Sequence, residues 1–111
     1  MSPADPVDAQ LEAYNGRDVE AFVACYAAGV LVEDGAGTPL MRGRDALRAE
    51  YGPFFEAAPD LRVEILHRIR IGAYVIDEER ITGWEPQPVR AVVVYHVADG
   101  LIDRVRFYED A

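Results

Sequence analysis

Cysteine is nearly absent from this sequence: Cys25 is the only one among 111 residues, so no disulfide and no cysteine-based metal site can form within the chain. That composition fits the reducing cytoplasm, the location expected here. Cys25 lies among Val23, Ala24 and Tyr26 and reads as a buried helical thiol, with no neighbouring cation to activate it. Basic charge is also scarce. Eleven Lys and Arg face twenty Asp and Glu, and the resulting net charge of −9 repels phosphate backbones and anionic lipid surfaces. Neither nucleic acid nor membrane is therefore expected as a partner. Arg68, Arg70, Arg104 and Arg106 stand at alternate positions among apolar residues, which reads as one solvated or paired sheet face. No apolar run reaches membrane-spanning length, and residues 1–5 carry neither the basic nor the apolar part of a secretion signal. The sequence also lacks a nucleotide-binding glycine motif, a metal cluster with plausible spacing, a Ser-His-Asp arrangement, internal repeats and low-complexity segments, so no cofactor is expected. The length fits one domain, residues 1–111, able to bury roughly two-thirds of its unfolded surface.

What is present divides into a helical first half and a stranded second half. Val7, Leu11 and Tyr14 share a helical face, and Asn15-Gly16 offers a left-handed stop. Asp18 is placed to cap a second helix whose apolar side is Val19, Phe22, Val23 and Tyr26. A short strand is expected over residues 30–34, then a loop over 35–43 with a brief extended piece at Leu40-Met41. A third helix starts near residues 43–45, runs through Leu47, Glu50 and Tyr51, and should bend or break at Gly52-Pro53, because proline has no amide donor. Phe54 and Phe55 continue its apolar face, and Ala58-Pro59 ends it. From Leu61 the period changes to two. Val63, Ile65, His67, Ile69 and Ile71 alternate with mostly charged residues, predicting a strand over 61–71 with one apolar face. Further strands are predicted over 74–82, 89–97 and 101–108, with Asp99-Gly100 as a hairpin turn. Helices first and a strand meander second give an α+β domain, three helices packed on one side of a curved, mostly antiparallel sheet.

Asp34 stands out chemically. It closes an apolar strand, Val30-Leu31-Val32-Glu33-Asp34, and burying such a carboxylate is costly unless it is turned to water or kept for chemistry. The following Gly35-Ala36-Gly37 turn offers backbone amides, so Asp34 as a loop cap is the plainer alternative. His67 is the one polar residue on the apolar parity of its strand. Two readings stay open for it: acid or base chemistry, or a core histidine satisfied by one hydrogen bond. On the next strand Asp77 and Glu79 share a parity with Val75 and Ile81, either orienting His67 or ringing the mouth of a pocket. Inward parity with Val105 and Phe107 carries Glu109 to the rim.

The order of elements, with the Asp-Val-Glu-Ala, Tyr-Ala, Val-Glu-Asp and Gly-Arg-Asp-Ala-Leu segments between Asp18 and Leu47, resembles the NTF2-like superfamily. That group includes nuclear transport factor 2, SnoaL-like polyketide cyclases and ketosteroid isomerases, and the first half is especially similar to the isomerases. The resemblance implies a cone-shaped fold around a hydrophobic pocket. It puts Asp34 where the isomerases keep the base that moves a proton beside a carbonyl, and it puts Gln10 and Val93 where they hold two donors for the resulting oxyanion. Valine cannot donate, whereas Gln10 can, and Tyr14 lies one turn further along the same helix. Tyr26, Val32, Leu40, Tyr51, Phe54, Phe55, Ile65, Val75, Asp77, Val93, Tyr95 and Phe107 are the expected pocket wall. Apolar residues on both faces of the strand at 89–97, with Val92, Val94 and His96 outward beside Arg104, Arg106 and Tyr108, imply a covered outer face; in similar proteins a second copy covers it, so a homodimer is expected. Three functions follow from the resemblance. The first is a cofactor-independent isomerase- or cyclase-type enzyme acting on a small hydrophobic carbonyl compound through Asp34. The second is a noncatalytic ligand-binding or dimerisation module. The third is a dehydratase pairing His67 with Asp34.

Overall fold

A computed structural model describes residues 5–109. Three helices, α1 (Pro6–Asn15), α2 (Val19–Val23) and α3 (Arg44–Ala57), pack on one face of a six-stranded sheet. Its strands are β1 (Tyr26–Asp34), β2 (Pro39–Arg42), β3 (Arg62–Ile71), β4 (Tyr74–Thr82), β5 (Val89–Ala98) and β6 (Leu101–Glu109). They lie in the order β2-β1-β6-β5-β4-β3, antiparallel throughout except where β1 runs parallel to β6. The sheet is open, with β2 and β3 as its edges. This is the expected α+β architecture.

Helix starts follow the sequence signals. Asp5 accepts the Val7 amide at 2.9 Å and Asp18 the Ala21 amide at 3.1 Å, each satisfying a donor that the first turn leaves free. The end of α1 differs from expectation. Gly16 stays right-handed at φ −84° and Arg17 takes the left-handed conformation at φ 52°. The Asn15 side chain is spent elsewhere: it donates to the Val63 carbonyl at 3.0 Å and accepts the Val63 amide at 2.7 Å, pinning the helix end to β3. Tyr26, expected on a helix, opens β1 instead, and β1 is longer than residues 30–34 because its start pairs with Ile102 of β6. α3 runs unbroken through Pro53. Both Pro53 and Ala49, whose carbonyl loses its intrahelical donor, are exposed, so water can satisfy that carbonyl. The helix buries Leu47 and Phe55, each contributing about 1.5–3 kcal/mol through apolar burial.

The largest correction concerns β3. Its pairing with β4 slips by one residue between Ile65 and His67, so Ile65 opposes Glu79, His67 opposes Glu78 and Arg68 opposes Asp77. An extra residue in a strand sends every later side chain to the other face. Val63 remains inward and buried, but Ile69 and Ile71 turn outward, at 58% and 65% exposure, and Arg68 turns in. The single apolar face predicted over 61–71 is therefore two half-faces. Gly83 marks another constrained point: at φ +81°, an added Cβ would stand 2.0 Å from the Asp60 carbonyl oxygen, a backbone atom that cannot yield.

Candidate functional site

Between the helices and the inner sheet face lies an open cavity of about 780 Å³. Its walls come from α1 (Tyr14), the 34–36 turn, β2 (Leu40, Met41), α3 (Glu50, Tyr51, Phe54), the 83–88 turn (Trp84) and β6 (Phe107, Tyr108, Glu109). Trp84 meets Phe54 edge-on at 5.7 Å near the mouth. A second, smaller space of about 50 Å³ lies deeper, bounded by Gln10, Tyr26, Val63, Glu79 and Tyr95 among others. Tyr14, Tyr51, Ile81 and Phe107 line both, so the two spaces adjoin.

Asp34 ends β1 on the wall of the larger cavity. Its Oδ1 accepts the amides of Ala36 and Thr38, both at 2.9 Å, so this side chain caps the loop as well as lining the cavity. Tyr14 lines the same cavity, packed edge-on against Phe55 at 5.2 Å. Its hydroxyl makes no hydrogen bond among the described residues and, like that of Tyr51, is held neutral by burial, which pushes the phenol pKa upward.

The other expected site residues distribute differently. Gln10 reaches the inner space, yet both its amide hydrogens are committed, to the Val7 carbonyl at 3.1 Å and to the Tyr95 hydroxyl at 3.2 Å. It has no donor left for a ligand. His67 leaves the site altogether: the β3 bulge turns it onto the outer face, where its side chain is 81% exposed and its Nδ1 lies 2.7 Å from Glu78. A dehydratase pair of His67 with Asp34 is thus not formed. Asp77 points inward as predicted but lines neither space, because Arg68 holds it through two contacts at 2.6 and 2.9 Å while also pairing with Asp8. Among the remaining wall residues, Leu40, Tyr51, Phe54 and Phe107 line the larger cavity and Tyr26 and Tyr95 the inner one. Val32, Phe55, Val75 and Val93 are core side chains instead, and Ile65 packs against that core.

Glu79 has the more unusual environment. It is 5% exposed, faces the inner space from β4, and has no cation within ion-pair distance among the described residues. Burial, with the nearby charge of Asp77, pushes its carboxyl pKa up to about 8, against smaller opposing effects of the Tyr95 hydroxyl and Arg68. The shift favours the protonated form, in which the carboxyl is a hydrogen-bond donor. Its shared parity with Val75 and Ile81 is visible in sequence; the lack of a cation partner among the described residues is not.

The family model of the SnoaL-like domain matches residues 7–105. The chain belongs to the SnoaL-like domain family. A solved cystatin-fold protein from Novosphingobium aromaticivorans, itself uncharacterised, is 25% identical over 97% of this chain and 98% of its own, with a TM-score of 0.85. A candidate polyketide cyclase from Sinorhizobium meliloti is 24% identical over 94% of each chain, TM-score 0.81. A candidate ketosteroid isomerase from Kribbella flavida is 24% identical over 96% of this chain and 76% of its own, TM-score 0.76. No curated protein matches the chain. The NTF2-like fold of this SnoaL-like domain is therefore established on both sequence and structure. Among the described residues no group of acidic, histidine and cysteine side chains could hold a metal ion, and no helix is long and apolar enough to cross a membrane.

Proposed function

We propose that this SnoaL-like domain is a cofactor-independent proton-transfer enzyme of the isomerase or cyclase type, acting on a small hydrophobic carbonyl compound with Asp34 as its acid/base. The observation that carries this reading is that Asp34 and Tyr14 line one largely apolar cavity of about 780 Å³, within the size range of small-molecule sites. In this reaction Asp34 takes a proton from the carbon beside the carbonyl and returns it, while the electron pair passes to the carbonyl oxygen. Tyr14, with a free and neutral hydroxyl, is the donor that meets the developing charge.

The test is incubation with cyclohexanone in D2O, followed by NMR of the positions beside the carbonyl. Deuterium uptake faster than in buffer, lost in Asp34→Asn while the fold is kept, is the expected result. Equal uptake by Asp34→Asn, or none by the unaltered protein, leaves the noncatalytic ligand-binding reading in its place. A cytoplasmic location belongs to this proposal and rests on the single thiol of Cys25.

A second copy of the chain is the proposed partner, seated on the outer sheet face. Ile69, Ile71 and Tyr74 are large exposed apolar residues there, and Ile76, Val94 and Val92 continue the patch across the strand register. Sedimentation should give twice the chain mass, and Val94→Arg should halve it. A monomer at high concentration would exclude this interface.

A further inference from the structure

Four side chains from four elements meet behind the inner cavity in one chain of hydrogen bonds whose direction can be worked out. Gln10 on α1 lies 3.1 Å from the Val7 carbonyl, which can only accept. That contact fixes the amide orientation, because the nitrogen has to be the group that faces Val7. The same nitrogen then donates to the Tyr95 hydroxyl at 3.2 Å, and the amide oxygen accepts from the Tyr26 hydroxyl at 3.3 Å. Tyr95, having accepted from Gln10, directs its own proton to Oε2 of Glu79 at 3.5 Å. Oε2 is therefore the accepting oxygen. The other oxygen, Oε1, has no protein partner among the described residues, and no buried side-chain oxygen or nitrogen is left unpaired, so Oε1 opens onto the inner space.

We propose that Oε1 of Glu79 carries the acid proton and donates it as a hydrogen bond to a neutral oxygen, a carbonyl or hydroxyl, of the compound held in the cavity, with the Tyr26–Gln10–Tyr95 relay fixing which oxygen is the donor. Glu79 is thus the specificity residue of the site. An inner space of about 50 Å³ admits the polar end of a ligand, while its apolar body remains in the larger cavity. A carboxylic acid donating to a ligand oxygen selects for acceptors, because a ligand without one leaves the buried proton unpaired. The inference rests on the reading that the ligand bears a carbonyl, but it does not need Asp34 to be catalytic.

The pH signature follows from what surrounds Glu79. Asp77, its neighbour on β4, opposes its ionisation; Arg68 of β3 and the Tyr95 hydroxyl of β5 favour it, and burial outweighs both. Tyr14 of α1, Tyr26 of β1 and Tyr51 of α3 also line the space, their phenol pKa values all pushed upward. Glu79 is then the group facing the ligand that changes charge first as pH rises past neutrality.

The experiment is cyclohexanone binding from pH 6 to 10, followed by the fluorescence of Trp84 at the cavity mouth, with methylcyclohexane as the probe lacking an acceptor. Affinity for the ketone should be constant to about pH 8 and then fall about tenfold per pH unit, as the donor is lost. Methylcyclohexane should show no such fall. Glu79→Gln, which keeps an amide donor, should bind the ketone with no break near pH 8, and Glu79→Leu should bind it at least tenfold more weakly at pH 7. Ketone affinity that ignores pH in the unaltered protein, or equal affinity in Glu79→Leu, overturns the assignment, as does no ketone binding at any pH. The unaltered protein separates the two readings: if it binds the ketone with the pH dependence above and exchanges no deuterium, proton transfer fails and this assignment stands.

Discussion

Asp77 and Glu79 stand two residues apart on the same face of the same strand, at 0% and 5% exposure, and their surroundings could hardly differ more. Asp77 receives both arms of the Arg68 guanidinium, which a one-residue bulge in β3 swings inward to meet it. Asp8 on α1 holds Arg68 from the other side, and Arg70 pairs with Asp5 and Asp8, so the charge joins a network that clasps α1 to the sheet. Glu79 has a tyrosine hydroxyl and faces the inner space. A buried carboxyl with a cation is part of the scaffold, whereas one without a cation keeps its proton and has it to give. On this strand, burial alone does not separate structure from function; the identity of the partner does.

Breaking the paired half has the largest expected effect. Arg68→Ala leaves Asp77 buried without its partner and should cost about 3–5 kcal/mol in urea unfolding, whereas replacing both Arg68 and Asp77 by leucine should recover most of that loss. A cost below about 1 kcal/mol for Arg68→Ala would mean that the network contributes little. The unpaired half should announce itself through pH. Between about 4.5 and 8 the folded protein keeps the Glu79 proton that the unfolded chain has released, so raising pH favours unfolding. Stability should therefore decline across this window by up to about 1.4 kcal/mol per pH unit relative to Glu79→Gln, and the decline should stop near pH 8. Two parallel stability curves would contradict this.

Finer changes sharpen the contrast. Tyr95→Phe removes the donor to Oε2, costs about 1 kcal/mol, and moves the end of the Glu79 window above pH 8, because that hydroxyl favours the ionised form. The smallest effect is expected at His67. Its contact with Glu78 is exposed, so His67→Ala should change the urea midpoint by no more than about 0.5 kcal/mol in stability. A larger loss would place that histidine in the framework after all.

How far these features could be read in advance follows from which of them are local. Asp18 as a helix cap, Asp99-Gly100 as a hairpin and the shared parity of Val75, Asp77, Glu79 and Ile81 depend on neighbours in sequence, and all are present in the structure. Asp34 as a loop cap was readable too, from the glycine-rich turn that supplies its donors. His67 was misplaced because a bulge at Leu66 leaves no trace in a pattern of alternating residues, yet it inverts everything after it. The start of β1 at Tyr26 depends on a parallel partner, β6, some seventy-five residues away, and no periodicity announces it. The contrast between Asp77 and Glu79 was invisible for a related reason: it depends on where Arg68 points, which the same bulge decides.

Glu79 should be a neutral, proton-bearing acid in the folded protein near pH 7. Carbon-13 NMR of glutamate side-chain carboxyls between pH 3 and 10, with Glu79→Gln to assign the signal, measures this directly. A resonance titrating with its midpoint near 8, absent from the variant, is the predicted result. A Glu79 midpoint near 4.5, the ordinary glutamate value, would contradict the account.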